Sequence, residues 1–477
     1  YLWTGPLHFT GFKGYNTPYT CPSKERPPGM TLFRLPWHRR NSPDIHSGTP
    51  HGEVAAPPVF SLLRQPFVGS LARTFSSLAI PQYRMLWFGL LFSMAATQMD
   101  IVSRSWLAYH ISGSGFALGL VALARGMPML AFSLVGGVAA DRWDKRKVLV
   151  FTQTGMGVLA AVNAILVHLG IVQVWHLAIL GLFQGIIFAF NMPARQAYIP
   201  ELVGQRQLAN AMAMNATGMN INRVLAPVVA GFLLAWEPTI GFYAIAVLYM
   251  GAVMTLFQLP PGHTASAKSK GTLSEILVGF RYIRSSPSLL ALLGMAFLVV
   301  LLGMPYQSLL PVFQKDVLHV GESELGIMYS AVGVGSFTSS MVVAYLSGYQ
   351  RKGLLQLGAG LLFGISLIVF AVSTIYELSV VVLFAVGLAS QGYMTLNSVL
   401  LMLSTNKELY GRVMSIYMMT WSLMPIALLP MGALVDVVGA PITVAGAGVL
   451  LLLAMTGVAV VRPELWRKDK PIEVPVS

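Results

Sequence analysis

The chain has 477 residues, of which 55% are hydrophobic and only 10% charged, with a formal net charge of +13 and a mean hydropathy of +0.67. Soluble domains run near a quarter charged, so this composition excludes a water-exposed surface of that size. It leaves a membrane protein whose cytoplasmic loops, rather than nucleic-acid binding, account for the excess of bases. The single cysteine, Cys21, excludes an intramolecular disulfide and a multi-cysteine metal site; no Walker-type phosphate loop occurs and the histidines are scattered. No metal, cofactor or nucleotide chemistry is expected, and the chain does not read as an enzyme.

The chain begins at Tyr1 rather than methionine, which reads as a fragment or an over-extended translation, with Met30 a candidate start. Residues 1–80 form the expected N-terminal tail. Its first sixty residues show scattered Pro, Gly and His without helical or strand periodicity, and no secretory signal, so the tail is expected to be disordered and cytoplasmic.

Apolar runs then recur. Twelve candidate spans fall at 84–110, 116–140, 148–168, 174–192, 209–235, 239–259, 287–309, 323–347, 354–374, 378–402, 412–436 and 441–462. Each is long enough to cross about 30 Å of hydrocarbon. Six lie within 81–259 and six within 287–462. Between them, 260–286 is a linker in which Leu273, Ile276, Leu277, Phe280 and Ile283 share one helical face beside Arg281 and Arg284. That pattern predicts an amphipathic helix on an anionic leaflet. Residues 463–477 are a tail. The fold class is therefore an all-α polytopic membrane protein, with twelve transmembrane helices in two six-helix bundles and a transport site between them.

The loops give the sidedness. Arg142, Lys145, Arg146 and Lys147, then Arg195 and Arg206, Lys268 and Lys270, Arg281 and Arg284, Arg351 and Lys352, and Lys407 and Arg412 all fall on the side of the N-terminus. Arg462, Arg467, Lys468 and Lys470 join them, whereas the opposite loops hold only Lys315. The positive-inside rule predicts an even number of spans, both termini in the cytoplasm, and a multi-pass protein of the cell membrane.

Few polar residues interrupt the spans. Asp100 lies well inside the first, where a charge costs at least about 2.5–3.5 kcal/mol and must face a partner or a cavity. Arg104 is one helical turn away, and Arg125 lies at similar depth across the hairpin. Asp100 is either half of a structural or gating ion pair with Arg125 or a proton carrier, and Arg104 either joins it or snorkels outward. In the fifth span Arg223 is accompanied by Asn215, Asn220 and Asn222, and either lines a cavity or reaches a neighbouring carbonyl beside the Pro227 kink. Asn191, Gln307, Gln391, Tyr393, Asn397 and Trp421 either line the same path or act as interhelical glue. The stretch of Asn191, Glu201, Gly204 and Arg206 is echoed by Asn397, Glu408, Gly411 and Arg412, as a duplication would leave.

The segment GGVAADRWDKRKVL, from Gly136 to Leu149, carries Gly137, Asp141, Arg142, Lys145, Arg146 and Lys147 in an order that resembles the loop between helices 2 and 3 of the major facilitator superfamily. The stretches SWLAYHISGS, NMPARQAYIPELV, GFRYIRSSP and YGRVMSIY, within about residues 80–463, resemble the exporter branch that includes the enterobactin exporter and macrolide efflux proteins. Two departures stand out: Asp144 where the loop usually has glycine, which is expected to pair with the loop's own bases and weaken its turn, and Tyr410 where arginine is common. The resemblance implies alternating access by two rocking bundles and export of a small molecule driven by protons. It assigns Asp141, Arg142, Lys145 and Arg146 to a gate latch, as against a merely topogenic loop, and membrane lipids are the remaining partner. Facilitated uptake of a metabolite and a non-transporting sensor on the same fold are the competing functions.

Overall fold

A computed structural model describes residues 76–262, 272–421, 423–463 and 466, which belong to one compact unit, Gln65–Ser477. Of the tail expected to be disordered to residue 80, residues 1–75 lie outside the described residues, as do the linker bases Lys268 and Lys270 and the basic residues from Arg467 onward. Ser76–Ala79, by contrast, form a helical turn in which the buried Ser77 donates its N–H to Asn210 Oδ1 at 3.0 Å. The described chain is helical, without a strand among its residues. Lipid offers no partner for a backbone N–H or C=O, so each span must close its hydrogen bonds within itself.

The first bundle contains α1 (Pro81–Ser112), α2 (Gly115–Arg142) and α3 (Lys145–His168), followed by a helical stretch from Val174 to Trp236 and by α6 (Pro238–Phe257). Pro81 and Pro238 open their helices at positions where the missing N–H would be unpaired anyway. The stretch Val174–Trp236 is 63 residues long, about 95 Å at 1.5 Å per residue, which is too long for one crossing. It breaks at Gly204, whose φ of 66° and ψ of 172° are closed to most L-residues. The arms are α4 (174–203) and α5 (205–236). Eleven helical segments are long and apolar enough to span a membrane, and this one counts twice, which gives the twelve spans expected. The loop expected between 192 and 209 is instead helical, with Pro193 and Pro200 inside it. Arg195 is consequently a buried helix residue that donates to Ser93 Oγ at 3.2 Å, and not one of the loop bases it was counted among.

An amphipathic helix, α7 (Thr272–Ser285), leads into the second bundle. This comprises α8 (Pro287–Val317), α9 (Glu322–Tyr345), α10 (Lys352–Val372), α11 (Tyr376–Leu403), the eleventh span formed by α12 (Tyr410–Trp421) and α13 (Met424–Val438), and α14 (Ala440–Val461). Inside α8 two widened turns, Val299–Gly303 and Phe313–Val317, flank Pro305 and Pro311. Pro305 has no N–H for the helical ladder, and the preceding Met304 N–H reaches back to Val299 O at 3.2 Å. The wide turn sets the direction of Tyr306 and Gln307.

The bundles meet along two glycine seams. On one, α2 lies against α13: a Cβ on Gly115 would come within 2.7 Å of Gly432 O, and one on Gly119 within 2.7 Å of Leu429 Cα. On the other, α5 lies against α9: a Cβ on Gly231 would stand 2.6 Å from Glu322 O and 2.8 Å from Gly326 Cα. Small residues allow such approach where no hydrophobic force drives helices together. Both seams lie in the half of the molecule near Gly113, Glu237 and Gly439, away from Arg142. In that half Ser114 Oγ, Gly115 N–H and Phe116 N–H donate to Asp436 at 2.7, 2.5 and 3.0 Å, and Tyr109 OH donates to Asp316.

Candidate functional site

Asp100, 2% exposed, sits inside the first bundle. An uncompensated carboxylate there would cost several kcal/mol, and two guanidiniums compensate it. Arg104 Nη2 donates to Asp100 Oδ1 at 2.9 Å, and Arg125 Nη1 lies 3.6 Å from Oδ2. Arg104 also donates to Leu177 O at 3.2 Å and is buried, so it turns inward and does not snorkel. Arg125 is less enclosed, 20% exposed, with its guanidinium 6.0 Å from the centre of the Phe188 ring. Glycines make room for the cluster: a Cβ on Gly185 would strike the backbone of Arg125. With one acid and two bases, protonation of Asp100 would raise the net charge of a nearly dry site.

The basic loop is wired differently from expectation. Asp144 caps α3: its Oδ1 accepts from Arg146 N–H at 2.9 Å, Lys147 N–H at 3.5 Å and Gly262 N–H at 2.9 Å. Instead of pairing with the loop's bases and weakening the turn, the carboxylate satisfies orphan donors of the first helical turn. Lys145 is buried, with Nζ 2.9 Å from Glu201 Oε1 on α4. Arg146 donates to the carbonyls of Leu256 and Phe257, at the electronegative end of α6. Arg142 is exposed, and the Asp141 side chain lies outside what is described.

Between the bundles lies a cavity of about 160 Å³. Arg223 from α5, Gln307 from α8, Gln391 from α11 and Trp421 from α12, for each of which lining a path was one of two readings, line it. Arg223 Nη1 donates to Gln391 Oε1 at 3.1 Å across the bundle interface, and Gln391 Nε2 donates to Thr395 Oγ1 at 3.2 Å. The asparagines chosen alongside them are elsewhere. Asn191 Nδ2 donates to Thr152 Oγ1 at 2.7 Å, Asn215 Oδ1 accepts from Tyr83 OH at 3.1 Å, and Asn222 Nδ2 donates to Gly218 O at 3.1 Å. Asn397 Oδ1 accepts from Gln356 Nε2 at 2.6 Å and is fully buried. The amides of Asn191, Asn215 and Asn397 tie helices of one bundle together and that of Asn222 turns back on its own helix, and none of the four is among the groups lining the cavity. Gln98, Tyr306, Tyr329, Ser336 and Ser390 line it without having been singled out. Tyr306 was hidden because nothing in a linear sequence shows the widened turn before Pro305.

A profile described as transmembrane secretion effector matches residues 72–471. The chain belongs to this family of the major facilitator superfamily. Curated relatives agree. The chain is 26% identical over 341 residues to the staphyloferrin A transporter of Staphylococcus aureus (strain NCTC 8325 / PS 47), covering 71% of this chain and 85% of that protein. It is 27% identical over 307 residues to the enterobactin exporter EntS of Shigella flexneri, covering 63% and 72%. Among solved structures, the nucleoside transporter NupG superposes with a TM-score of 0.65 at 13% identity, over 81% of this chain and all 100% of that one. A D-xylose–proton symporter gives 0.61 at 13% identity, over 83% and 99%. At such identity these two speak for the fold alone. This family member is thus a multi-pass membrane transporter with a small-molecule substrate, and not an enzyme.

Proposed function

We propose that this transporter is a proton-coupled exporter that moves a small organic molecule (a siderophore, drug or metabolite) by alternating access in the cell membrane, with both termini in the cytoplasm. The observation that carries the reading is a cavity between two bundles whose glycine seams lie in one half of the molecule only. By the loop charges that half is the outer one, so the conformation is one with the outer gate shut. The moving bodies are 81–259 and 287–462, rocking about the cavity. The names of the staphyloferrin A transporter and the enterobactin exporter support outward movement of a siderophore-type cargo.

Asp100 is the proton site of this reading, and Asp141 with Arg142, Lys145 and Arg146 forms the inner latch. Proton binding to Asp100 biases one conformation by differential affinity. The Asp100→Asn variant and the Asp100→Asn/Arg104→Gln double variant test it in proteoliposomes with an imposed pH gradient. The double variant restores the charge balance of the cluster, so a merely structural ion pair predicts recovery of pH-driven flux. A proton carrier predicts a folded protein without it. Flux that ignores reversal of the gradient would point to facilitated uptake and end the coupling claim.

A further inference from the structure

Charge is distributed unevenly between the two buried polar sites. Asp100 is engaged by Arg104 and Arg125 inside the first bundle and is not among the groups lining the cavity. Among the described residues the cavity itself is lined by one guanidinium, Arg223, and by neutral amides, hydroxyls, aromatic rings and aliphatic side chains, with no Asp or Glu. Arg223 makes no carboxylate contact among the described residues; its bond across the cavity is to the neutral amide oxygen of Gln391. The phenol of Tyr329, a further wall group, is buried beside Ser105 and makes no hydrogen bond of ordinary geometry among the described residues.

A partly buried guanidinium without an anion, as Arg223 is here, is poorly compensated. A bond from a guanidinium to an anionic oxygen is roughly twice as strong as one to a neutral acceptor. Resting on the export reading above, we propose that the cavity selects cargo bearing an anionic oxygen group, and that this group takes Arg223 from Gln391. Tyr329, Gln98 and Gln307 supply hydroxyl and amide donors around it, and Tyr306 and Trp421 supply aromatic faces for an attached ring. The exchange also has a mechanical side. Arg223 belongs to the first bundle and Gln391 to the second, so the cargo replaces a direct tie between the bundles with a tie through itself.

The size of the cavity agrees with one charged group and not with a whole ligand. Drug-sized molecules occupy clefts of about 300–1,000 Å³, against about 160 Å³ here. The anionic head reaches Arg223, and the rest of the cargo is admitted only as the bundles part.

Equilibrium binding of radiolabelled citrate, benzoate and 2,3-dihydroxybenzoate to the purified full chain tests this, with tetraphenylphosphonium as the cationic comparison. At least one anion is expected to bind ten-fold or more tightly than the cation. That binding should fall at least ten-fold in Arg223→Gln, persist within a few-fold in Arg223→Lys, and hold or strengthen in Gln391→Ala. Gln98→Glu leaves Arg223 in place but neutralises the cavity, and should weaken the anion to the same degree, so the test survives misfolding of the Arg223→Gln variant. The proposal is overturned if no anion binds, if the cation binds more tightly, or if anion binding is indifferent to both Arg223→Gln and Gln98→Glu. Parallel flux measurements separate the two readings. Anion binding through Arg223 without pH-driven export sinks proton coupling alone, whereas pH-driven export of the cation sinks the anion site alone.

Discussion

Asp436, near the end of α13, caps the first turn of α2 in the opposite bundle by accepting the Gly115 N–H at 2.5 Å and the Phe116 N–H at 3.0 Å. A helix start offers unpaired donors and partial positive charge, and here the compensating carboxylate is supplied in trans. Ser114 is the cap within α2 itself, accepting from Ala117 N–H at 3.3 Å, and its hydroxyl donates onward to Asp436 at 2.7 Å. Separating the bundles at this end therefore strips two backbone donors and a hydroxyl of their acceptor at once.

Asp436→Ala is expected to favour separation of this end by about 1–2 kcal/mol, the worth of an N-cap, or roughly 5–30-fold in population. Double electron–electron resonance between spin labels at Ile111 and Val437, both exposed, in a chain with Cys21 replaced by serine, would read it as growth of the longer distance. An unchanged distribution would remove Asp436 from the gate.

Seam glycines should tolerate no side chain. Gly231→Ala and Gly326→Ala each place a methyl within 3 Å of backbone on the facing helix, an overpacking expected to cost about 1–3 kcal/mol. Gly294→Ala, with nothing within 4 Å of the new Cβ, is the control. Thermal unfolding in detergent should rank both seam variants well below it, and the spin-label distances should lengthen only for the seam variants.

Within the buried cluster the two arginines are not equivalent. Arg104 donates a 2.9 Å bond to Asp100 and another to Leu177 O, whereas Arg125 stands at 3.6 Å and is partly exposed. Arg104→Gln should therefore cost more stability than Arg125→Gln. Asp100→Asn alone should cost about 3–5 kcal/mol, because the buried guanidinium of Arg104 and the partly exposed one of Arg125 lose their acid, and adding Arg104→Gln should return most of it. Chemical denaturation in micelles checks the order, and equal losses for the two arginines would contradict the geometry.

Asp144→Ala should lose about 0.5–2 kcal/mol from the cap of α3 together with the tie to Gly262. Local hydrogen exchange should rise at Arg146 and Lys147, whose N–H groups lose their acceptor. If the acid instead weakened the turn, its removal would slow that exchange.

The span pattern was legible because lipid leaves the chain few choices: apolar length and basic loops nearly determine the count. The echo between the two halves has a counterpart in contacts. Asn191 on the fourth span bonds Thr152 on the third, and Asn397 on the tenth bonds Gln356 on the ninth, so the echo between the two stretches corresponds to one tie used twice. The same residues mark the limit. An asparagine in an apolar helix must find a partner, but periodicity does not say whether that partner is a neighbouring helix or a cargo. Arg223 and Gln391 face the cavity and Asn215, on the same helix as Arg223, bonds Tyr83 instead, a difference of position around the helix. Arg195 was read as a loop base because the fourth span was drawn as ending at 192, whereas the helix runs on through Pro193 and Pro200.

Gly204 gives the fourth and fifth spans a mechanical relation that an ordinary connecting loop would not. A loop has slack and lets the helices it joins tilt independently. Here 63 residues run as two rods with one bent joint. A tilt of α4, which carries Gly181 and Gly185 beside the Asp100 cluster, is delivered to α5 as by the arm of a bell crank. The other arm bears Arg223, so the helix beside the Asp100 cluster and the helix that carries the cavity arginine share one joint.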